Sequence, residues 1–178
     1  MIVTLFDTET SGLVDNRTLP LDKQPSIIEW YSCSADLTTG EIISELDLLI
    51  KPPRLISDEI TRITGLKNAD LEDKPMFAAV APEIRAAIEG AARMAAHNAS
   101  FDVEMADIEF SRLGQTLAWP RRVICTVEAT VHLKGHRLNL QGLHELLFGE
   151  QFPHAHRARN DVMALLKCAC ELHKRGEL

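Results

Sequence analysis

Asp7 and Glu9 stand two residues apart at the end of a short apolar, β-leaning run over residues 2–6. Side chains at i and i+2 of a strand share a face, so both carboxylates can converge on one cation. An arbitrary Asp-x-Glu is more often a polar strand end entering a loop, and the pair alone does not choose between the two readings. Asp102 falls in the first turn of an expected helix, within His97-Asn98-Ala99-Ser100-Phe101-Asp102. Asp161 opens the last long helix, within His156-Arg157-Ala158-Arg159-Asn160-Asp161. Acids in a first turn also complement the helix dipole, by about 0.3–1 kcal/mol, and Glu104 is assigned only that role. His156 would pass for a surface loop residue. Taken singly, each of these residues reads as structural rather than catalytic.

The elements that must position them follow from periodicity and punctuation. Residues 27–35 and 41–50 are β-rich and joined by Thr38-Thr39-Gly40, which predicts an antiparallel hairpin. The polar stretch 13–26, with Pro20 and Pro25, reads as a surface loop. Residues 57–64 predict a short helix capped by Ser57 and stopped by Gly65. The alanine-rich segment 76–89 is expected to be helical, with a break or kink at Pro82. A short strand is expected over 93–97. Ser100 is then expected to cap a helix with Phe101, Met105, Ile108 and Leu113 near one face. Residues 122–126 predict a final strand, followed by helices near 138–148 and 157–174. Strands first, then strands and helices alternating, point to an α/β domain with a mixed sheet.

Bulk properties narrow the classes. A chain of 178 residues that is 46% hydrophobic and 25% charged has apolar material for one core, so one domain is expected. No apolar run approaches the roughly 20 residues of a membrane helix. The N-terminus shows no basic leader or cleavage site, so a cytoplasmic protein is expected. Cys33, Cys125, Cys168 and Cys170 form no CxxC pair, and reduced thiols are the simpler reading. His132 and His136 have zinc-like spacing, but Gly135 lies between them and no second pair exists, so zinc is not expected. The net charge of −7 argues against an extended phosphate-binding face. That objection weakens if the acids hold cations and only a strand end is gripped.

In their order along the chain, the three acidic segments match D-x-E-T, H-N-A-x-x-D and H-x-A-x-x-D. They resemble the exonuclease motifs of the DnaQ-like exonucleases, the DEDDh family of the ribonuclease H-like superfamily. Ile27-Ile28-Glu29, Ile63-Thr64-Gly65-Leu66, Cys125-Thr126 and residues 138–146 are further echoes, so the resemblance covers nearly the whole chain. It implies a ribonuclease H-like fold, a central mixed β-sheet flanked by α-helices, forming a single exonuclease domain over 1–178. The family divides on a histidine or tyrosine before the last aspartate. Tyr31 is far from that motif, so His156 selects the histidine branch.

The resemblance implies that Asp7, Glu9, Asp102 and Asp161 hold two divalent cations and that His156 is the general base. Crowded carboxylates repel unless cations neutralise them, and oxygen ligands select Mg²⁺ or Mn²⁺. A histidine as a residue type suits proton abstraction near neutral pH. Thr8 and Thr10 are expected to line the pocket for the terminal nucleotide. Leu13 is expected to wedge against the last base, with ordinary packing as its competing reading. His97, Asn98 and Phe101 are grouped with the substrate-binding residues, His97 as a hydrogen-bonding support rather than a ligand. His154 lies outside the motif. Arg17, Lys23, Arg137, Arg157 and Arg159 are candidates to steer phosphates, against a stronger prior of solvated surface charge. The 13–26 loop is longer than the family's usual link and either contacts substrate or is an inert insertion.

The expected activity is 3′-to-5′ removal of nucleotides from single-stranded DNA, since Asp7-Thr8-Glu9-Thr10 resembles the DNA-directed branch. RNA trimming is the rival within the same chemistry. A catalytically silent binding protein is the rival outside it, although no metal ligand is lost. The chain ends at Leu178 soon after its last helix, so a free-standing nuclease is expected, with a DNA polymerase or repair partner left open.

Overall fold

The computed structural model describes residues 1–14 and 16–178; Asp15, within the expected 13–26 loop, lies outside them. Five strands are found among the described residues: β1 (Ile2–Thr10), β2 (Ile27–Asp36), β3 (Glu41–Leu49), β4 (Met94–Ala96) and β5 (Val123–Cys125). They form one sheet in the order β3-β2-β1-β4-β5. β2 runs antiparallel to both β1 and β3, whereas β4 is parallel to β1 and β5. The expected mixed sheet is therefore present. The helices are α1 (Asp58–Thr64), α2 (Asn68–Leu71), α3 (Phe77–Glu89), α4 (Ala99–Arg112), α5 (Thr126–Lys134), α6 (Leu140–Phe148) and α7 (Ala158–Lys174). No helix among them is long and apolar enough to cross a membrane.

β1 is the central strand, and its two faces pack on different helices. Val3 and Leu5 join Val162, Leu165 and Ala169 of α7. Phe6, on the opposite face, joins Ile84 and Ile88 of α3 and Met105 and Phe110 of α4. Because strand side chains alternate, Asp7 and Glu9 continue the row of Val3 and Leu5 toward α7, while Thr8 continues the row of Phe6 toward α4. β4 pairs with β1 only at Thr4 and Leu5. The C-terminal half of β1 consequently has one side open, outside the carboxyl ends of the parallel strands, where open α/β sheets form their crevices.

Four sequence expectations change. β1 runs to Thr10 rather than ending at Phe6, because its ladder with β2 continues through Glu9↔Glu29 to Thr10↔Ile27. α3 passes Pro82 unbroken. Pro82 and Ala78 both lie on the exposed side, where water can take the carbonyl that proline leaves unpaired. α5 replaces the expected connection after β5; its β-branched Thr126, Val127 and Thr130 lower helix propensity but are buried, so packing decides.

Ser100 lies inside α4, and the N-cap is Asn98, in the left-handed region at φ 69° with no side-chain cap bond. The chain turns from β4 into α4 within two residues, which needs that conformation. Asparagine tolerates it and a β-branched residue does not. Asn98→Val should therefore cost about 1–2 kcal/mol in urea unfolding, and Asn98→Gly close to nothing.

Candidate active site

The alternation of β1 and the first turn of α7 bring Asp7, Glu9 and Asp161 together. One carboxylate oxygen from each lies within 4.8 Å of the other two. Asp102 approaches from α4 on the other side of the strand and is only 3% exposed. Its Oδ1 accepts hydrogen bonds from the Thr8 backbone N–H (3.0 Å) and hydroxyl (2.7 Å), tying α4 to the middle of the Asp-x-Glu segment. Asp102 thus borders the three-oxygen group without belonging to it.

Electrostatics mark the site as incomplete by itself. Burial, then the neighbouring Asp102, Asp161, Glu9 and Glu29, push the Asp7 carboxyl well above its usual range. Burial, then Asp161, Glu29 and Asp102, push Glu9 up to about 8, with Arg157 opposing. Burial raises Asp102 against the pull of its Thr8 bonds. Burial raises Asp161 to about 6, although the His156 N–H favours the ionised form. Asp161 Oδ2 accepts that N–H at 3.0 Å, while its Oδ1 is buried with no hydrogen-bond partner. A sealed carboxylate oxygen without a donor, beside two further acids, suits a hard cation that takes oxygen ligands.

His156 is exposed, directly before α7, with φ 67°. Among the described residues the non-glycine positions with positive φ are Asn98, His154 and His156, all in the two segments that carry Asp102 and Asp161. Such conformations persist where the surroundings over-determine them. Here one constraint is the Asp161 bond, and a second was not foreseen. Arg157, expected as surface charge, makes a forked pair with Glu29 of β2, its Nε 3.0 Å from Oε2 and its Nη2 2.8 Å from Oε1. The Ala158 N–H donates to the same carboxylate at 3.2 Å. Glu29 is 1% exposed. A lone acid in the apolar run Ile27-Ile28-Glu29-Trp30-Tyr31 was the signal, because a buried charge requires a partner.

A cleft of about 550 Å³ opens beside the carboxylates. Its floor is the segment from Thr8 to Leu13, and Phe101 and the α1 residues Ile60, Ile63 and Thr64 form its walls. The α1 wall carried no assigned role in the sequence reading. The Thr10 hydroxyl donates to the Gly12 carbonyl at 2.7 Å and the Thr8 hydroxyl to Asp102, while Glu9 and Glu59 line the space beside the apolar side chains. Leu13 projects at the rim, 69% exposed.

His97 and Asn98 are not among the residues lining the cleft. The His97 ring nitrogens meet Thr126 Oγ1 at 2.9 Å and the Leu138 carbonyl at 3.1 Å, so the ring braces β4 against α5 and the loop before α6. Burial lowers its pKa to about 4. Arg17 pairs with Glu104, Arg137 with Glu128, and Arg159 with Glu45 and Asp47, each as surface charge. His132 pairs with Glu177 and His136 with the Lys134 carbonyl. A larger cleft of about 620 Å³, between the β2–β3 turn and α7, contains none of the four carboxylates.

Comparison with known proteins identifies the family and supports the fold. A family model described as "RNase_T: Exonuclease" matches residues 4–169. The chain is similar to the DNA polymerase III subunit epsilon of Treponema pallidum, 30% identical over 92% of this chain and 73% of that one. It is also similar to the PolC-type DNA polymerase III of Thermotoga petrophila, 34% identical over 88% of this chain but only 11% of that one. Among solved structures, Exonuclease X in complex with 5′ overhanging duplex DNA superposes with a TM-score of 0.68 at 25% identity, covering 98% of this chain and 93% of that one. The nuclease domain of 3′hExo, a DEDDh family member bound to rAMP, shares the fold at a TM-score of 0.81 and 14% identity, over 98% and 92% of the two chains. With its fold and its matched span in agreement, the chain belongs to the RNase_T exonuclease family, as a DnaQ-like 3′-to-5′ exonuclease.

Proposed function

We propose that residues 1–178 form one exonuclease domain that releases nucleoside monophosphates from the 3′ end of single-stranded DNA. The observation that carries this reading is the convergence of Asp7, Glu9 and Asp161, with a bare Asp161 oxygen, beside a cleft walled in part by apolar side chains. Asp7, Glu9, Asp102 and Asp161 hold two divalent cations, Mg²⁺ or Mn²⁺. When bound, such ions activate water and offset charge on the scissile phosphate.

The remaining work falls to the chain itself. Phe101, Ile60 and Leu13 offer apolar surface to the terminal nucleoside, and backbone amides between Thr8 and Leu13 face its sugar. His156, on the exposed side of the cluster, takes the proton of the attacking water. Its backbone bond to Asp161 couples the position of the base to that of a ligand. Few phosphates need be held when only a strand end enters, which reconciles the activity with a net charge of −7. DNA is favoured over RNA by the D-T-E-T form, and the polymerase III relatives support a DNA polymerase or repair partner for a cytoplasmic enzyme.

A 5′-labelled single strand of DNA, and its RNA counterpart, should shorten from the 3′ end in Mg²⁺ or Mn²⁺, with the DNA faster. Asp7→Ala should stop cleavage, and His156→Ala should slow it by about 10²–10⁴. An intact strand in every metal, from protein shown to bind the ion, would leave a silent binding protein as the reading.

A further inference from the structure

A second compartment, of about 300 Å³, adjoins the nucleotide cleft and shares Ser11, Gly12 and Leu13 with it. Its far walls come from two segments distant in sequence, Lys23 to Ser26 and Pro52 to Leu55. Among the described residues lining it there are two cations, Lys23 and Arg54, and no carboxylate. In a chain with 26 acids and 19 bases, that composition next to a four-acid site is unexpected. Among the described residues the Lys23 ammonium pairs with Asp22 at 3.6 Å, and Arg54 donates one Nη to the Asp22 carbonyl.

The compartment is built rather than incidental. Arg112 of α4 holds the carbonyls of Leu21, Gln24 and Pro25 at 2.9, 2.7 and 2.9 Å and pairs with Glu109. Gln24, itself buried, donates to the carbonyls of Asn16 and Leu19. Ser11 and Ser26 exchange two bonds, Ser11 N–H to the Ser26 carbonyl and Ser26 N–H to the Ser11 hydroxyl, which fixes the ridge between the two spaces. The stretch from Leu21 to Ser26 is thereby held as one wall of the compartment. Leu13 and Leu55, 69% and 83% exposed, flank it as apolar surface.

From these features we infer that the second compartment is a phosphate subsite, in which Lys23 and Arg54 hold nucleic-acid backbone on the far side of Leu13 from the terminal nucleotide. The inference rests on the proposed nuclease reading and extends it. The phosphate belongs either to the scissile strand or to a complementary strand at a duplex end, and substrate choice separates the two.

The test compares wild type, Lys23→Ala/Arg54→Ala, Arg54→Ala and Arg54→Lys on three substrates. They are the p-nitrophenyl ester of thymidine 5′-monophosphate, a single-stranded DNA 20-mer, and the same strand in a blunt duplex, each across a range of NaCl. The ester fills only the nucleotide cleft and reports on the carboxylate site. In the double variant the strand KM should rise relative to the ester KM, and the slope of log KM against log salt should fall by about 0.7 for each lost contact on a single strand. Arg54→Lys keeps the charge while losing the guanidinium bond to Asp22, so it should retain most of the slope. An effect on both polymers assigns the phosphate to the scissile strand, and one confined to the duplex assigns it to the complement. Unaltered KM ratios and slopes in the double variant, with cleavage intact, would overturn the subsite alone, as would an Arg54→Lys variant no better than Arg54→Ala. A wild-type protein that cleaves neither ester nor strand would overturn the nuclease reading and the subsite with it.

Discussion

Glu9→Gln is expected to reduce strand cleavage by about a hundredfold or more while raising the melting temperature of the metal-free protein at pH 8. The loss follows from removing a charge-stabilising group from the reacting centre. The gain follows from what the carboxylate does without a cation. Glu9 ionises near 4.5 in an unfolded chain and near 8 in the fold, chiefly because burial opposes its charge. Between those values the folded state keeps a proton that the unfolded state has released, so stability falls as pH rises. It is complete below about pH 4.5, and the loss is finished above about pH 8. Asp7 and Asp161 are raised in the same sense and add to the slope.

Glutamine keeps the shape and has no charge to desolvate, which relieves a penalty on the order of a few kcal/mol at pH 8. About 1 kcal/mol moves the midpoint of a domain this size by roughly 2–4 °C, so the difference should be several degrees at pH 8 and much smaller at pH 5. Mg²⁺ should reverse the order by stabilising wild type far more than the variant, and more at pH 8 than at pH 5. Thermal scans in chelator and in Mg²⁺ at both pH values measure all four numbers. A variant no more stable than wild type in chelator at pH 8 would mean that the acids are not in conflict.

How much of this was legible in the sequence depended on the range of each interaction. Asp7 and Glu9 could be put on one face from local alternation alone. Asp102 and Asp161 could not, because an acid in a first turn has an adequate local explanation, and only their order beside the other motifs singled them out. The length of β1 was under-read because Asp7 and Glu9 are poor strand residues by composition; the ladder to β2 decides, and it is invisible locally. Ser100 was read as the cap because a serine side chain suits that position, whereas the tight exit from β4 selects the cap by backbone conformation. α5 was hidden by β-branched residues that packing overrides. Arg157 was taken for surface charge because its partner, Glu29, lies 128 residues away.

That pair is the less visible half of the site, and its removal should separate stability from activity. Arg157→Leu leaves the Glu29 carboxylate buried with only the Ala158 N–H to satisfy it. Breaking a buried pair from one side costs about 3–5 kcal/mol. The lower end is expected here, because the Arg157 side chain is 40% exposed and water screens part of the interaction. Glu29→Gln in the same chain removes the stranded charge while keeping an acceptor for the Ala158 N–H, so the urea midpoint should return most of the way toward wild type.

Cleavage should not return with it. Arg157 sits between His156, held at φ 67°, and Ala158, the first residue of α7. The Glu29 fork is what fixes that step against the neighbouring strand. With the fork gone, His156 and Asp161 lose a shared anchor, and supporting groups of this kind are worth about 10–100-fold in metal affinity or activity. A double variant that regained both the midpoint and the rate would reduce the pair to a structural contact. Recovery of the midpoint alone would assign to Glu29 and Arg157 the positioning of the base, a role that no carboxylate motif reveals.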